Sequence, residues 1–496
     1  MERFCSHVSG TVMMVLLAWA STASAQAPDH TAHANAEQDM NAMAREASGT
    51  SWLPDSSPMY MVHRQQGSWM LMAHNNAFLQ YLHESGERGA HQTGSINWFM
   101  GMAERAAGRG RLAFRGMVSL EPWTIRGCGY PDLLASGELC GGETIHDRQH
   151  PHDLFMELSA SYDAPVSRRI RWHLFGGPAA EPALGPVAYP HRVSAMPNPI
   201  APITHHWFDS THVSFGVVTA GVYGPRWKVE TSAFNGREPD ENRKDFDFGP
   251  LDSISGRVWF LPTPRLALQV SGGHLREAEA GEGLEPRSDV DRVTASATYS
   301  RMSQRSVWAS TLGWGRNAEG DHATNAILFE TNLTVDDRDT VFGRFELAQK
   351  TPHDLHVAET QDSFPLSKLA AGYARYISAG RGFKAGIGAA VSAAIVPDEL
   401  RAAYGHRLNP GVAVFLTLRP DMMSLRGQPS AANGTTMVMV QTAYDPAKLT
   451  CAAGFNPSTA AMTTYEGKTY YFCSVVDRDR FLTDPKMSLS MAPPKE

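Results

Sequence analysis

The chain has 496 residues, of which 42% are hydrophobic, 19% charged and 9% aromatic, the make-up of a folded protein rather than a disordered one. Its formal net charge of −7 argues against nucleic acid as the main partner, because phosphate binding calls for a basic excess. Beyond residue 25 no apolar run approaches the length of a spanning helix. That excludes a helical membrane bundle but not a β-barrel, whose alternating strands hide their apolarity from averages.

The chain opens with Arg3, an apolar core over Val12–Ala20 and a small-x-small site at Ala23-Ser24-Ala25. This predicts a secretory signal peptide over residues 1–25 and a mature start near Gln26. Cys5 leaves with the signal, so Cys128, Cys140, Cys451 and Cys473 remain in an oxidising space. Residues 26–66 are polar without a strand pattern and read as a mobile periplasmic arm.

From Trp69 to Arg419 one grammar repeats: segments of roughly ten residues alternate in polarity between turn residues. In 111–120, Leu112, Phe114, Val118 and Leu120 share one face and Arg111, Arg115 and Ser119 the other. In 409–419, Val412, Val414, Leu416 and Leu418 oppose Thr417 and Arg419. Sixteen such segments are expected, near 69–82, 95–106, 111–120, 154–163, 170–178, 211–223, 226–235, 253–262, 265–273, 291–301, 306–315, 324–335, 339–348, 366–377, 384–395 and 409–419. Short links such as Gly224-Pro225 and Thr263-Pro264 alternate with long ones such as 121–153, 179–210 and 236–252. A soluble sandwich would also alternate in polarity, but it gives no reason for every second connection to be long. The pattern predicts an antiparallel transmembrane β-barrel over 67–420, with tight turns in the periplasm and long loops outside. Trp69, Tyr81, Trp98, Tyr162, Trp172, Tyr223, Trp227 and Trp259, near strand ends, are expected in the interfacial girdles. Arg111, Arg115, Arg257 and Arg344 are expected in the lumen.

After strand sixteen, residues 421–436 read as a linker and 437–496 as a small α+β unit in the periplasm. Within that unit Cys451 precedes Gly467-Lys468-Thr469-Tyr470-Tyr471-Phe472-Cys473-Ser474, followed by Phe481 and Asp484-Pro485. This stretch resembles the YHS domain, a cysteine-containing module often found in proteins that handle heavy metals. The family usually carries a further cysteine four residues after the Phe-Cys-Ser cysteine; here Asp477 stands there. Cys451, Cys473 and Asp477 form a soft-to-borderline donor set suited to Cu(I), Zn(II) or Hg(II). A disulfide between Cys451 and Cys473, with no metal, is the other reading. Cys128 and Cys140 bracket one long loop at a spacing that readily closes a disulfide.

Two connections are rich in histidine. One carries His146, His150 and His152 beside Asp147 and Asp153; the other carries His205, His206 and His212 with His191 upstream. Both lie at the same expected end of the barrel. Imidazole and carboxylate suit Cu(II), Zn(II) or Ni(II), while the plainer reading is a hydrogen-bonded structural loop. Met59, Met61, Met70, Met72, Met100 and Met102 recur at period two, and thioether sulfur favours Cu(I), although packing explains them equally well. Asp209, Ser210 and His212 place acid, hydroxyl and imidazole together, but no nucleophile-elbow pattern encloses Ser210 and catalysis is not expected.

The strings Asp147–Glu157 and Phe234–Asp240 also make residues 50–420 resemble a widespread group of Gram-negative secreted proteins, which implies a cell-envelope location. The sequence therefore predicts a lipid-embedded outer-membrane barrel that binds or passes a transition metal, copper first and zinc second. A periplasmic YHS-like domain would capture the ion, and a periplasmic metal-handling protein is a candidate partner. The alternative is a general channel for small ions and solutes, or a structural envelope protein, with a disulfide-stapled terminal unit.

Overall fold

The computed structural model describes residues 45–279, 287–303, 305–358 and 360–422, together with 442–443, 461–466, 468–472, 478 and 481. The expected signal sequence and Cys451, Cys473 and Asp477 lie outside the described residues.

In chain order the first strands are β1 (Val62–Gln66), β2 (Trp69–Glu84), β3 (His91–Ala107), β4 (Gly110–Val118), β5 (Tyr130–Cys140), β6 (Glu143–Gln149), β7 (Phe155–Pro165), β8 (Arg171–Ala179), β9 (Val217–Tyr223) and β10 (Trp227–Phe234). There follow β11 (Ser253–Thr263), β12 (Leu266–Glu279), β13 (Ser288–Met302), β14 (Ser306–Glu319), β15 (His322–Val335), β16 (Asp339–Lys350), β17 (Phe364–Gly380), β18 (Phe383–Ile395) and β19 (Leu408–Pro420). With β1, β5 and β6 set aside, sixteen of these pair antiparallel, each with the next. The ring closes where β19 returns to β2, from Gly411 opposite Glu84 to Leu418 opposite Ala77. In hydrocarbon no water can satisfy a free amide, so a closed ladder is the arrangement of strands that can cross.

Each of the sixteen expected segments overlaps one of these strands. Many strands run beyond their expected bounds, β12 to Glu279 rather than to 273, whereas 211–223 becomes a strand only from Val217, because Ser210–His212 coils into a 3-10 turn that belongs to the lumen.

Period two decides which side each residue faces. Along β19, Val412, Val414, Leu416 and Leu418 are exposed on the outer surface, while Ala413, Phe415, Thr417 and Arg419 are buried within. The outward face continues with Ile254, Val270, Val293, Leu312, Ile327 and Val391, an apolar belt that only lipid can cover. Tyr81, Trp172 and Trp227 face outward as girdle residues. Trp98, Tyr223 and Trp259 do not: all three are buried inside, where they pack on lumen segments. Tight turns cluster at one rim and long connections at the other, which assigns the tight rim to the periplasm.

The inner face is ionised. Arg111, Arg115, Arg257 and Arg344 all point inward, as their register requires. Such charges must be paired when water is withdrawn, and the chain supplies the partners itself. Residues 45–60, expected as part of a mobile arm, are instead packed into the periplasmic half of the lumen. Glu46 ion-pairs with both Arg111 and Arg115. Trp52 meets the Tyr223 ring edge-on at 5.8 Å within a cluster that includes Trp259 and Leu261. β1 then pairs with the stretch of β2 that β19 leaves uncovered, Val62 opposite Ala73 through Gln66 opposite Trp69.

The described C-terminal residues include a three-stranded sheet, β20 (Thr442–Ala443), β22 (Lys468–Phe472) and β21 (Ala461–Tyr465), in that order. Tyr470, Phe472 and Phe481 form its small apolar core.

The belt gives a direct test. Val270 is 57% exposed in the span of β12. Val270→Arg puts a cation against lipid and is expected to cost about 2–4 kcal/mol if the site lies near mid-bilayer. The measurement is a lowered urea midpoint for the heat-modifiable gel band.

Candidate functional site

A barrel of sixteen strands has room for an aqueous bore, yet this one is filled. Every residue from Ala179 to Asp209 except Asn198 is buried. The long connection between β8 and β9 therefore runs inward and forms a plug. Its sequence carries the signal that loop length alone conceals: Glu181, Arg192 and Asp209 are the sole formal charges in 179–210. A water-bathed loop of that length is normally richer in charge.

The plug is fastened to the wall by side chains. Arg192, fully buried, ion-pairs with Glu330 of β15 and sits 3.1 Å from Asp209 within the plug. Arg344 of β16 donates to the Ile200 carbonyl at 2.7 Å, and Glu346 accepts from Thr204. The Ser194 and Thr311 hydroxyls lie 2.7 Å apart. The plug meets the N-terminal segment where the Ala188 amide donates to Ser48 Oγ at 2.9 Å.

A second insert completes the filling. The connection between β4 and β7 holds a short helix, Glu121–Thr124, and the hairpin of β5 and β6; the expected Cys128–Cys140 disulfide ties the two ends of β5 together. Period-two reasoning missed this hairpin because its register shifts between Pro131 and Leu139 break the alternation.

The plug and this insert bring five of the candidate histidines together. His205 lies 5.4 Å from His206 and 5.2 Å from His212, measured between ring centres; His150 is 6.3 Å from both His205 and His206, and His152 is 5.3 Å from His212. His146 is not among them. It stacks on His356 at 5.3 Å and joins none of the ligand groups.

Carboxylates lie against the Nδ1 atoms of four of these rings. His150 Nδ1 lies 3.2 Å from Glu138, His205 Nδ1 2.8 Å from Asp209 and His206 Nδ1 3.1 Å from Glu238. Asp209, four residues after His205, was visible in its loop, whereas Glu138, twelve residues before His150, and Glu238, on the connection between β10 and β11, did not stand out as ligand partners. The Nε2 atoms of His150, His206 and His212 are buried without a hydrogen-bond partner among the described residues. His152 differs: Glu121 holds its Nδ1 at 3.0 Å and Tyr189 its Nε2 at 3.0 Å, so both ring nitrogens are occupied.

Electrostatics sort the rings in the same way. Burial lowers the pKa of His150, His205 and His206, with Arg243 adding to the effect on His150, and pushes His212 down to about 3. These imidazoles are neutral near pH 7 and available as donors. Burial would lower His152 too, but the Glu121 carboxylate raises it. Burial also raises Asp209, yet the His205 hydrogen bond and the Arg192 charge hold it below its usual range.

Elsewhere in the lumen, Met59, Met61, Met72 and Met102 line one cavity of about 40 Å³ beside Glu46 and Arg115. Ser210 Oγ accepts from Arg292 at 2.9 Å, while His212 Nδ1 lies 2.7 Å from the Asp209 carbonyl. The hydroxyl and the imidazole thus bond to different partners.

No family model and no curated protein matches this chain, so the YHS resemblance of the C-terminal residues gains nothing from them. Among solved structures it is similar to OmpT of Vibrio cholerae, at 7% identity over 72% of this chain and 99% of that one, with a TM-score of 0.41. It is also similar to an anion-selective porin from Comamonas acidovorans, at 10% identity over 71% and 99% with a TM-score of 0.43. A third is OmpF of Salmonella typhi, at 10% identity over 72% and 100% with a TM-score of 0.44. The assignment as an outer-membrane β-barrel rests on the closed ladder and the apolar belt themselves.

Gly137 makes the histidine group sensitive to a single methyl. Its φ is +117°, and a Cβ there would come within 2.1 Å of the His206 ring. Gly137→Ala is expected to destabilise the plug by about 1–3 kcal/mol, through overpacking and backbone strain together. Gly141→Ala, at φ +68° with open space around it, isolates the backbone cost and should lower the thermal midpoint less.

Proposed function

We propose that the protein is an outer-membrane channel for small ions or solutes whose pore is closed at rest by its own inward segments. The observation that carries this reading is the filled lumen: an ionised barrel wall paired with the plug and the N-terminal segment instead of with water. A barrel built only as an anchor has no need of an ionised interior, whose burial is costly unless each charge is matched. A channel needs such a wall once its plug moves aside.

The Ser194–Thr311 contact supplies a lock. In the Ser194→Cys/Thr311→Cys variant an engineered disulfide would tie the plug to β14. Liposome swelling with small solutes is expected for the unmodified protein, to be absent in the oxidised variant and to return on reduction. The unmodified protein treated with the same reductant controls for Cys128–Cys140. No flux through folded unmodified protein, or equal flux through the locked variant, would refute the proposal.

A second reading, passage or binding of a transition metal such as copper with capture by Cys451, Cys473 and Asp477, is favoured by the four methionines that converge on one cavity. Copper analysis of the full-length protein reduced with ascorbate is expected to fall by about one equivalent per chain in Met59→Leu/Met72→Leu/Met102→Leu. Unchanged copper would remove the support that the methionines lend.

A further inference from the structure

We propose that His150, His205 and His206 form a binding site for one divalent first-row transition-metal ion inside the lumen. The site is complete in the closed state, so its existence does not depend on the channel opening, although an ion held there would favour closure.

Three features distinguish this group from histidines that merely pack. First, one ring nitrogen of each lies within 4.8 Å of those of the other two. A tetrahedral ion with metal–nitrogen bonds of about 2.0–2.1 Å holds its ligand nitrogens about 3.3 Å apart. Small side-chain rotations close that difference.

Second, every ring is oriented from behind. Asp209 accepts from His205 Nδ1, the Pro151 carbonyl accepts from His150 Nδ1 with Glu138 3.2 Å away, and Glu238 lies 3.1 Å from His206 Nδ1, an arrangement that directs the tautomer and leaves Nε2 as the ligand atom. An acid bonded to the far nitrogen is the usual support of a ligating histidine. The acids are themselves braced, Glu138 by Arg243 and Asp209 by Arg192.

Third, two of the free nitrogens have no other use. His150 and His206 are more than nine-tenths buried, and neither Nε2 has a hydrogen-bond partner among the described residues. Leaving such an atom unsatisfied costs about 1–3 kcal/mol each. A structural cluster would satisfy them ring to ring or against the wall, as His152 does between Glu121 and Tyr189. A metal ion satisfies them all at once.

Three neutral imidazoles suit Zn(II), Cu(II), Ni(II) or Co(II) over Mg(II) or Ca(II), which prefer oxygen. The nearby group of His206, Glu238 and Glu279 is a rival location. There His206 would bind through Nδ1, which already lies 3.1 Å from Glu238, and the variants below tell the two locations apart.

The test uses the full-length chain in detergent, with Cys451→Ser and Cys473→Ser to silence the terminal thiols. Co(II) is the probe, read by its visible ligand-field absorption and by metal analysis after gel filtration. Heat-modifiable migration certifies the fold of each variant. One Co(II) per chain is expected. His150→Gln and His206→Gln should each weaken binding at least about 10-fold, Glu138→Gln about 10-fold, and His146→Gln not at all. X-ray absorption of the Zn(II)-loaded chain should count three imidazoles, and this readout needs no histidine variant to fold. The proposal fails if the folded chain binds no Co(II), or if His150→Gln/His206→Gln binds as tightly as its parent. It fails equally if fewer than two imidazoles are counted, or if Glu238→Gln abolishes binding while His150→Gln leaves it intact.

Discussion

An amide in hydrocarbon has no water to turn to, and that single fact shapes this molecule. Sixteen strands satisfy one another edge to edge, and the last must find the first. Once the ladder is closed, the side chains have just two destinations, lipid or lumen, and the alternation of the strands follows. The outer positions become Val, Leu, Ile and aromatic residues; the inner ones are freed to be Arg, Glu, Lys and Ser.

That freedom creates the second problem the fold solves. An inner wall carrying Arg111, Arg115, Arg257 and Arg344 is stable when filled with water or with matching charge. Here it is matched. Glu46 enters from the periplasmic side, Arg192 and Asp209 from the opposite side, and wall acids such as Glu230 and Glu330 take up the remainder. Charges replace a hydrophobic core as the cement of the lumen, with aromatic residues such as Trp52, Trp207 and Phe208 filling between them. Ion pairs of this kind tolerate removal of one partner poorly, so the plug is held firmly in one register against the wall.

The barrel wall was legible in the sequence because lipid imposes a strict period on it. Val412, Val414, Leu416 and Leu418 could face only one way. The lumen segments obey no such period. Trp52 and Leu53 are apolar and buried, but they sit in a run of polar and small residues that reads as an arm. Trp98, Tyr223 and Trp259 were misplaced because an aromatic near a strand end suits a girdle and a lumen equally well, and the parity of one residue decides between them. The histidines were visible as two clusters, and the structure joins most of them. Of their carboxylate partners only Asp209, four residues after His205, was visible; Glu138 and Glu238 reach the histidines only when three connections fold into the same space. His146 was misleading for the same reason: closeness in sequence to His150 did not bring it to the same place.

The closure between the last strand and the first is uneven. β19 departs from β2 at Leu418, and the lower margin of β2, from Trp69 to Ala73, is covered by β1. The residues just before the wall thus act as a clasp over its seam. Trimming the chain back to Trp69 would leave a raw lip of unpaired amides at the periplasmic rim, an adhesive edge of the kind through which neighbouring molecules zip together.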